Sequence, residues 1–135
     1  MMIDHRDALI YTMVMVSAAD NNMSDAELRI IGDNVRDLPA FAGYDGEKLT
    51  TTLRECADLL AEENGLDEAF RHIKEALPAK LRETAYALAC DVVAADGEAS
   101  QEELRVLELI RHRLHIDRLI AAAIERGTRA RFMTA

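Results

Sequence analysis

Two stretches of this chain repeat each other, and the repeat narrows the folds that the chain can adopt. Residues 18–29 read AADNNMSDAELR and residues 94–105 read AADGEASQEELR, an offset of 76 positions. Seven of the twelve aligned positions are identical without a gap. In each copy an apolar segment precedes the stretch and an amphipathic segment follows it. The sequence therefore predicts a duplicated unit of helix, acidic loop and helix, at about residues 4–36 and 79–114.

Helical periodicity recurs along the chain, and no alternating strand pattern interrupts it. Aromatic residues make up only 4% of the 135 residues, so Ala, Leu, Met and Ile supply the core, which favours helices. We expect an all-α, single-domain bundle of seven or eight helices within residues 1–127. The predicted helices span residues 4–19, 24–36, 46–63, 67–77, 79–95, 100–113 and 117–126.

Turn-forming residues and apolar spacing predict further details of these helices. Gly65 is expected to end the third helix and Gly127 the last helix, which leaves residues 128–135 as a loose basic tail. In the two repeated amphipathic helices, the apolar spacing places Leu28 and Leu104 on the buried stripe.

Charge and cysteine content argue against several classes of partner. The chain has 16 basic and 25 acidic residues, a formal net charge of −9. Nucleic acids and anionic membranes both attract basic surfaces, so neither is an expected partner. Cys56 and Cys90 lie in apolar helical patterns, which indicates buried thiols in a reducing compartment. The apolar run at residues 8–19 is too short to span a bilayer and lacks a basic segment before it, so a cytoplasmic location is expected.

The repeated loops admit two interpretations, of which the first is helix capping. Ser24 with Glu27, and Ser100 with Glu103, form the S-x-x-E pattern of a capping box. In such a box the serine hydroxyl and the glutamate carboxylate each accept a hydrogen bond from the other residue's backbone N–H. This interpretation accounts for the serines and glutamates without any ligand.

The second interpretation is cation binding, and it rests on Asp20 and Asp96. A carboxylate at the C-terminal end of a helix faces the negative pole of the helix dipole, which a bound cation would offset. Oxygen-bearing side chains recur at loop positions 1, 3, 5 and 8, whereas a standard EF-hand has its glutamate at position 12 and a glycine at position 6. A standard EF-hand is therefore excluded. The candidate ligands for Ca²⁺ or Mg²⁺ are Asp20, Asn22, Ser24 and Glu27 in the first loop and Asp96, Glu98, Ser100 and Glu103 in the second. The second loop is favoured because Glu98 adds a charge that Asn22 lacks.

The doubled motif, AADNNMSDAEL and AADGEASQEEL after an apolar helix, resembles the TerB-like family of bacterial tellurite-resistance proteins. Related domains occur at the N-terminus of membrane-anchored DnaJ-type co-chaperones. The resemblance extends from the first helix to about residue 125. In the first copy Asn21 replaces the glycine, and asparagine also tolerates the left-handed conformation. The resemblance implies an all-helical cytoplasmic domain linked to tellurite or chemical stress, without an established enzymatic reaction. It also implies metal binding at the acidic positions Asp20, Glu27, Asp96 and Glu103.

These observations favour one function and leave two alternatives open. The favoured function is a non-enzymatic, stress-associated binding or adaptor domain with a protein partner and a divalent cation at the acidic loops. The first alternative is a metal-free interaction module whose loops only cap helices. The second is a metal-assisted hydrolase that uses the same carboxylates. No nucleophile motif, separate base motif or phosphate loop is present, so no catalytic residue is assigned.

Overall fold

The computed structural model describes residues 2–135 and confirms the all-helical prediction. This part of the chain contains seven α-helices, three 3₁₀ turns and no strand. The α-helices are α1 (His5–Ser17), α2 (Asp25–Asp37), α3 (Leu49–Ala61), α4 (Gly65–Ala76), α5 (Arg82–Ala94), α6 (Gln101–Arg113) and α7 (Arg118–Arg131). The 3₁₀ turns are Pro39–Phe41, Gly46–Lys48 and Ala79–Leu81.

Helices α1 and α5 lie at the centre of the domain. Every residue from Ala8 to Ser17 of α1 is buried. α1 packs against α2, α3, α4, α5 and α6, and α5 packs against α1, α2, α6 and α7. A helix with neighbours on most sides needs no polar face, which explains why these two segments are apolar almost all round.

The repeat in the sequence is also a repeat in the structure. α2 and α6 begin at Asp25 and Gln101 and end at Asp37 and Arg113, so both ends keep the offset of 76 residues. Within the two loops, Asn21 and Gly97 both adopt positive φ, 60° and 82°. The asparagine thus takes the left-handed conformation that the glycine has in the second copy, as the sequence predicts.

The buried stripes of α2 and α6 differ from the prediction. Leu28 and Leu104 are 38% and 46% exposed, whereas the glutamates immediately before them are 1% and 2% exposed. The predicted burial of the two leucines is therefore wrong. Apolar spacing assigns each leucine to the core, but the capping box draws the preceding carboxylate back to the backbone of its serine and into the interior.

The predicted role of Gly65 is also wrong, because this residue begins α4 instead of ending α3. α3 ends at Ala61, and Asn64 adopts a left-handed φ of 61° before the next helix starts. A Cβ at position 65 would lie 2.2 Å from the carbonyl oxygen of Leu59. The tight turn between α3 and α4 therefore requires glycine for its close approach to the backbone.

The predicted loose tail at residues 128–135 is helical as far as Arg131, which corrects the predicted end of the last helix at Gly127. Thr128 is 4% exposed, and the Arg131 guanidinium donates to Asp91 Oδ1 at 2.7 Å. A glycine inside a helix costs about 1 kcal/mol relative to alanine. The packing of α7 against α5 outweighs this cost.

Both cysteine thiols are free and buried, as predicted. Burial raises the pKa of Cys56 and that of Cys90 to about 12, so both remain protonated at neutral pH. None of the helices described here is both long and apolar enough to cross a membrane.

Candidate functional site

The two repeated loops lie side by side, next to the C-terminal ends of α1 and α5. Ser24 Oγ donates to Asp96 Oδ2 at 3.3 Å, which joins the first loop to the second across 72 positions of the chain. The acidic loops therefore contribute to one site and do not form two separate ones.

Both capping boxes form as predicted. Glu27 N donates to Ser24 Oγ at 3.1 Å, and Ser24 N donates to Glu27 Oε1 at 3.0 Å. The corresponding two distances between Ser100 and Glu103 are both 3.0 Å. Capping is therefore one role of these four residues, and in each box the glutamate accepts through Oε1.

Glu27 and Glu103 form a buried pair of carboxyl groups. Each side chain is almost inaccessible to solvent, and the Glu27 carboxyl lies near enough to Glu103 to raise the pKa of Glu103. Glu103 Oε2 is buried and accepts no hydrogen bond from any described residue. When both groups are ionised, neither has a proton to donate to the other. Two buried negative charges close to each other are unfavourable unless a proton or another cation offsets their repulsion.

The environment of the pair raises the pKa of Glu103 to about 7. Burial is the largest cause, and hydrogen bonding with Glu27 and repulsion from Glu27 and Asp20 add to it. The hydrogen bond from Ser100 N acts in the opposite direction. Since the two carboxyls interact strongly, this pKa describes a proton that belongs to the pair. Near neutral pH a divalent cation would therefore compete with that proton.

One residue outside the repeated stretch makes the two halves of the pair unequal. Ser17 Oγ donates to Glu27 Oε1 at 2.9 Å. The equivalent position in the second hairpin is Val93, which has no side-chain donor. The loop motif does not include Ser17, because this residue belongs to the apolar helix α1. The sequence feature that could have pointed to Ser17 is its position directly before the first AAD segment, at the end of a largely apolar helix.

The remaining predicted ligands are more exposed than the two glutamates. Asp20 Oδ1 accepts from Asn22 N at 3.1 Å, an Asx turn within the first loop. The side chains of Asn22 and Glu98 are exposed and make no hydrogen bond to a described residue. Among residues 2–135, no group of three or more His, Cys, Asp or Glu side chains is placed to hold a metal ion. The structure thus brings together the two glutamates, with Ser24 and Asp96 in contact beside them, and leaves Asn22 and Glu98 outside.

The family profile described as tellurite resistance protein TerB matches residues 6–125. This segment includes both hairpins and both acidic loops. The chain belongs to the TerB family. TerB membership confirms the resemblance drawn from the doubled motif and agrees with the all-α fold. Comparison with curated proteins and with solved structures finds no match.

The donors of this TerB site have the chemistry that a hard divalent cation requires. They are carboxylate and hydroxyl oxygens, which Ca²⁺ and Mg²⁺ prefer, and neither thiol nor imidazole is among them. Glu103 Oε2 is the donor that lacks any other partner. Asp20 and Asp96 each accept one hydrogen bond from the first loop, so turning either towards the pair would cost about 1 kcal/mol.

Proposed function

We propose that this chain is a non-enzymatic, stress-associated binding domain in which one divalent cation joins the two acidic loops. TerB membership supports the association with tellurite resistance and the non-enzymatic class. The observation that best supports cation binding is the buried Glu27–Glu103 pair, in which Glu103 Oε2 has no hydrogen-bond partner. Ca²⁺ or Mg²⁺ is the expected ion because the donors are oxygen atoms. The free, buried thiols support a cytoplasmic location.

The proposed cation would act on the junction between the two hairpins. The α1–α2 hairpin contributes Glu27 and Ser24, and the α5–α6 hairpin contributes Glu103 and Asp96. A cation held by both would neutralise the repulsion between the glutamates. A ligand that binds only the folded state, at a hundred times its Kd, stabilises a protein by about 2.7 kcal/mol. Cation binding would thus lock the two hairpins together and define the surface that a protein partner meets.

Thermal unfolding of metal-stripped protein tests this proposal. Millimolar Ca²⁺, Mg²⁺, Mn²⁺ and Zn²⁺ are added separately, and one ion is expected to raise the melting temperature saturably by several degrees. Glu103→Gln keeps the shape of the side chain and an oxygen for the cap but removes the charge, so it is expected to abolish the response. Glu102→Gln, which removes the same charge from the exposed neighbouring position, is the control and should respond like the wild type.

Two results would contradict the proposal that a cation binds between the two loops. One is a flat response of the wild-type protein to every ion. The other is a response that Glu103→Gln leaves unchanged, because the ion would then bind elsewhere.

The competing proposal is a metal-free interaction module in which the glutamate pair holds a proton. The two complete capping boxes favour it, since they engage Ser24, Glu27, Ser100 and Glu103 without any ion. On this proposal Ser100→Ala destabilises the protein by about 1 kcal/mol and cations have no effect on either Ser100→Ala or Asp96→Ala. On the cation proposal Asp96→Ala also weakens the response to the ion. Nothing in the site favours the hydrolase alternative over these two.

A further inference from the structure

An open apolar groove lies beside the first acidic loop. It has a volume of about 450 Å³ and is formed by the end of α1, the loop after it, α3, the start of α4, and α6. None of the side chains that line it is charged. Its walls include Met15, Met23, Leu60 and Val106.

Small side chains on α3 allow the helix of a partner protein to approach the backbone of α3 closely. Ala57 and Ala61 lie one turn apart on α3, line the groove and are exposed, so their small side chains leave room above the backbone. Met15 and Met23 add flexible walls that adapt to different apolar partners. An amphipathic helix that inserts its apolar face is the usual occupant of such a groove.

Exposed charged side chains neighbour the groove-lining residues of α3 and α6 in the sequence. Asp58 and Glu62 directly follow the lining alanines of α3, and Glu102 lies one turn before Val106 on α6. These three side chains are exposed, and none is in a salt bridge with a described residue. Two exposed basic side chains are also near: Arg54 lies one turn before Ala57 on the same face of α3, and Arg105 directly precedes Val106 on α6. These neighbours comprise three carboxylates and two guanidinium groups, and together with the net charge of −9 of the chain they favour a cationic partner.

We propose that this groove binds an amphipathic helix of a partner protein that is rich in lysine or arginine. The apolar face of that helix lies against the methionine, alanine and leucine side chains of the groove, and its cations face Asp58, Glu62 and Glu102. The groove is built from residues other than Glu27 and Glu103. The proposal therefore stands independently of the cation at the acidic loops.

The test uses a fluorescent synthetic leucine–lysine peptide of about five helical turns, with leucine on one face. Anisotropy titration is expected to show a one-to-one complex at physiological salt. The double substitution Ala57→Trp/Ala61→Trp fills the groove without changing charge and is expected to weaken binding at least about tenfold. Ala123→Trp, at an exposed alanine of α7, is the matched control and should leave the affinity unchanged.

A second variant tests whether the acidic side chains near the groove contribute to peptide binding, without changing the residues that line the groove. Asp58→Asn/Glu62→Gln is expected to weaken binding of the leucine–lysine peptide and to reduce its dependence on salt. A leucine–glutamate peptide of the same length should not bind. Both substitutions are at exposed positions, so circular dichroism should show an unchanged fold.

Four results would overturn the proposal. They are no binding of the leucine–lysine peptide, equal binding to the groove-filled protein, equal binding of the leucine–glutamate peptide, and a dimer of the protein alone that the groove-filling substitutions dissociate. The last result would make a second copy of this chain the occupant. Each titration is repeated with Glu103→Gln, which should bind the peptide as tightly as the wild type because Glu103 does not line the groove. Peptide binding by a wild-type protein whose melting temperature responds to no cation would identify a failure of the cation proposal alone.

Discussion

Ser17 Oγ donates a hydrogen bond to Glu27 Oε1 at 2.9 Å. Val93 occupies the equivalent position in the second hairpin and offers no donor to Glu103. The repeat is therefore symmetrical in its capping boxes and asymmetrical at the carboxyl pair. Glu27 Oε1 therefore accepts two hydrogen bonds, from Ser17 and from Ser24, whereas Glu103 Oε1 accepts one, from Ser100.

Replacing Ser17 by alanine tests the importance of this donor. Ser17→Ala removes one hydroxyl from a fully buried position and leaves Glu27 with the backbone N–H of Ser24 as its donor. We expect the free energy of unfolding at neutral pH to fall by about 2 kcal/mol, because a buried carboxylate loses a charged hydrogen bond. Urea denaturation measures this change. An unchanged midpoint would show that water replaces the lost hydroxyl.

The pH dependence of stability tests the raised pKa of Glu103. Its pKa in the folded protein, about 7, lies above its ordinary value of 4.5, so the folded state binds a proton that the unfolded state has already released. The stabilisation from this proton is complete below about pH 4.5 and is lost as the pH rises through about 7. Metal-stripped protein should therefore lose about 2 kcal/mol of this stabilisation between about pH 5 and pH 8.

Glu103→Gln isolates this effect from the other titrating groups. The variant carries no ionisable group at position 103, so the difference in unfolding free energy between it and the wild type should grow with pH, in favour of the variant above about pH 7. Glu102→Gln should follow the wild-type profile. Parallel profiles for the wild type and Glu103→Gln would show that the carboxyl pair does not hold a proton.

Substitution of Gly65 tests whether the turn between α3 and α4 requires glycine, and Gly32 provides the control. Gly65→Ala places a Cβ 2.2 Å from the carbonyl oxygen of Leu59, so the backbone must move. We expect a loss of at least about 2 kcal/mol, measured by thermal or urea unfolding. Gly32→Ala is the control, because Gly32 lies within α2 and no atom is within 4 Å of its added Cβ. That change should stabilise the protein by up to about 1 kcal/mol, and equal effects of the two changes would contradict this account.

Truncation of the C-terminal segment tests the length of α7. Removal of residues 132–135 should leave the melting temperature unchanged, since these residues follow the helix. Removal of residues 128–135 deletes the buried Thr128 and the Arg131 partner of the half-buried Asp91. We expect this longer deletion to cost about 2 kcal/mol, because Asp91 loses its charged partner and α7 loses its last turn. Equal melting temperatures for the two truncations would support a loose tail from residue 128.

Local patterns in the sequence predict the helices and the capping boxes correctly. Ser24 with Glu27 and Ser100 with Glu103 interact across three residues, so the spacing alone predicts their hydrogen bonds. Local patterns fail at Leu28 and Leu104. An apolar stripe describes one helix, whereas burial depends on which neighbouring helix covers it. The same limitation applies to Gly127, where packing on α5 overrides a residue that often ends helices.

The sequence by itself determined the all-α class, the duplicated hairpin, the two caps and membership of the TerB family. These features depend on composition, periodicity and hydrogen bonds between residues close in the chain. Only the tertiary structure decided that the two loops form one site, because Ser24 and Asp96 meet across 72 positions. The packing of α1 with α5 and of α2 and α6 around them brings Glu27 to Glu103, and their burial together gives the site its raised pKa and its unpartnered oxygen.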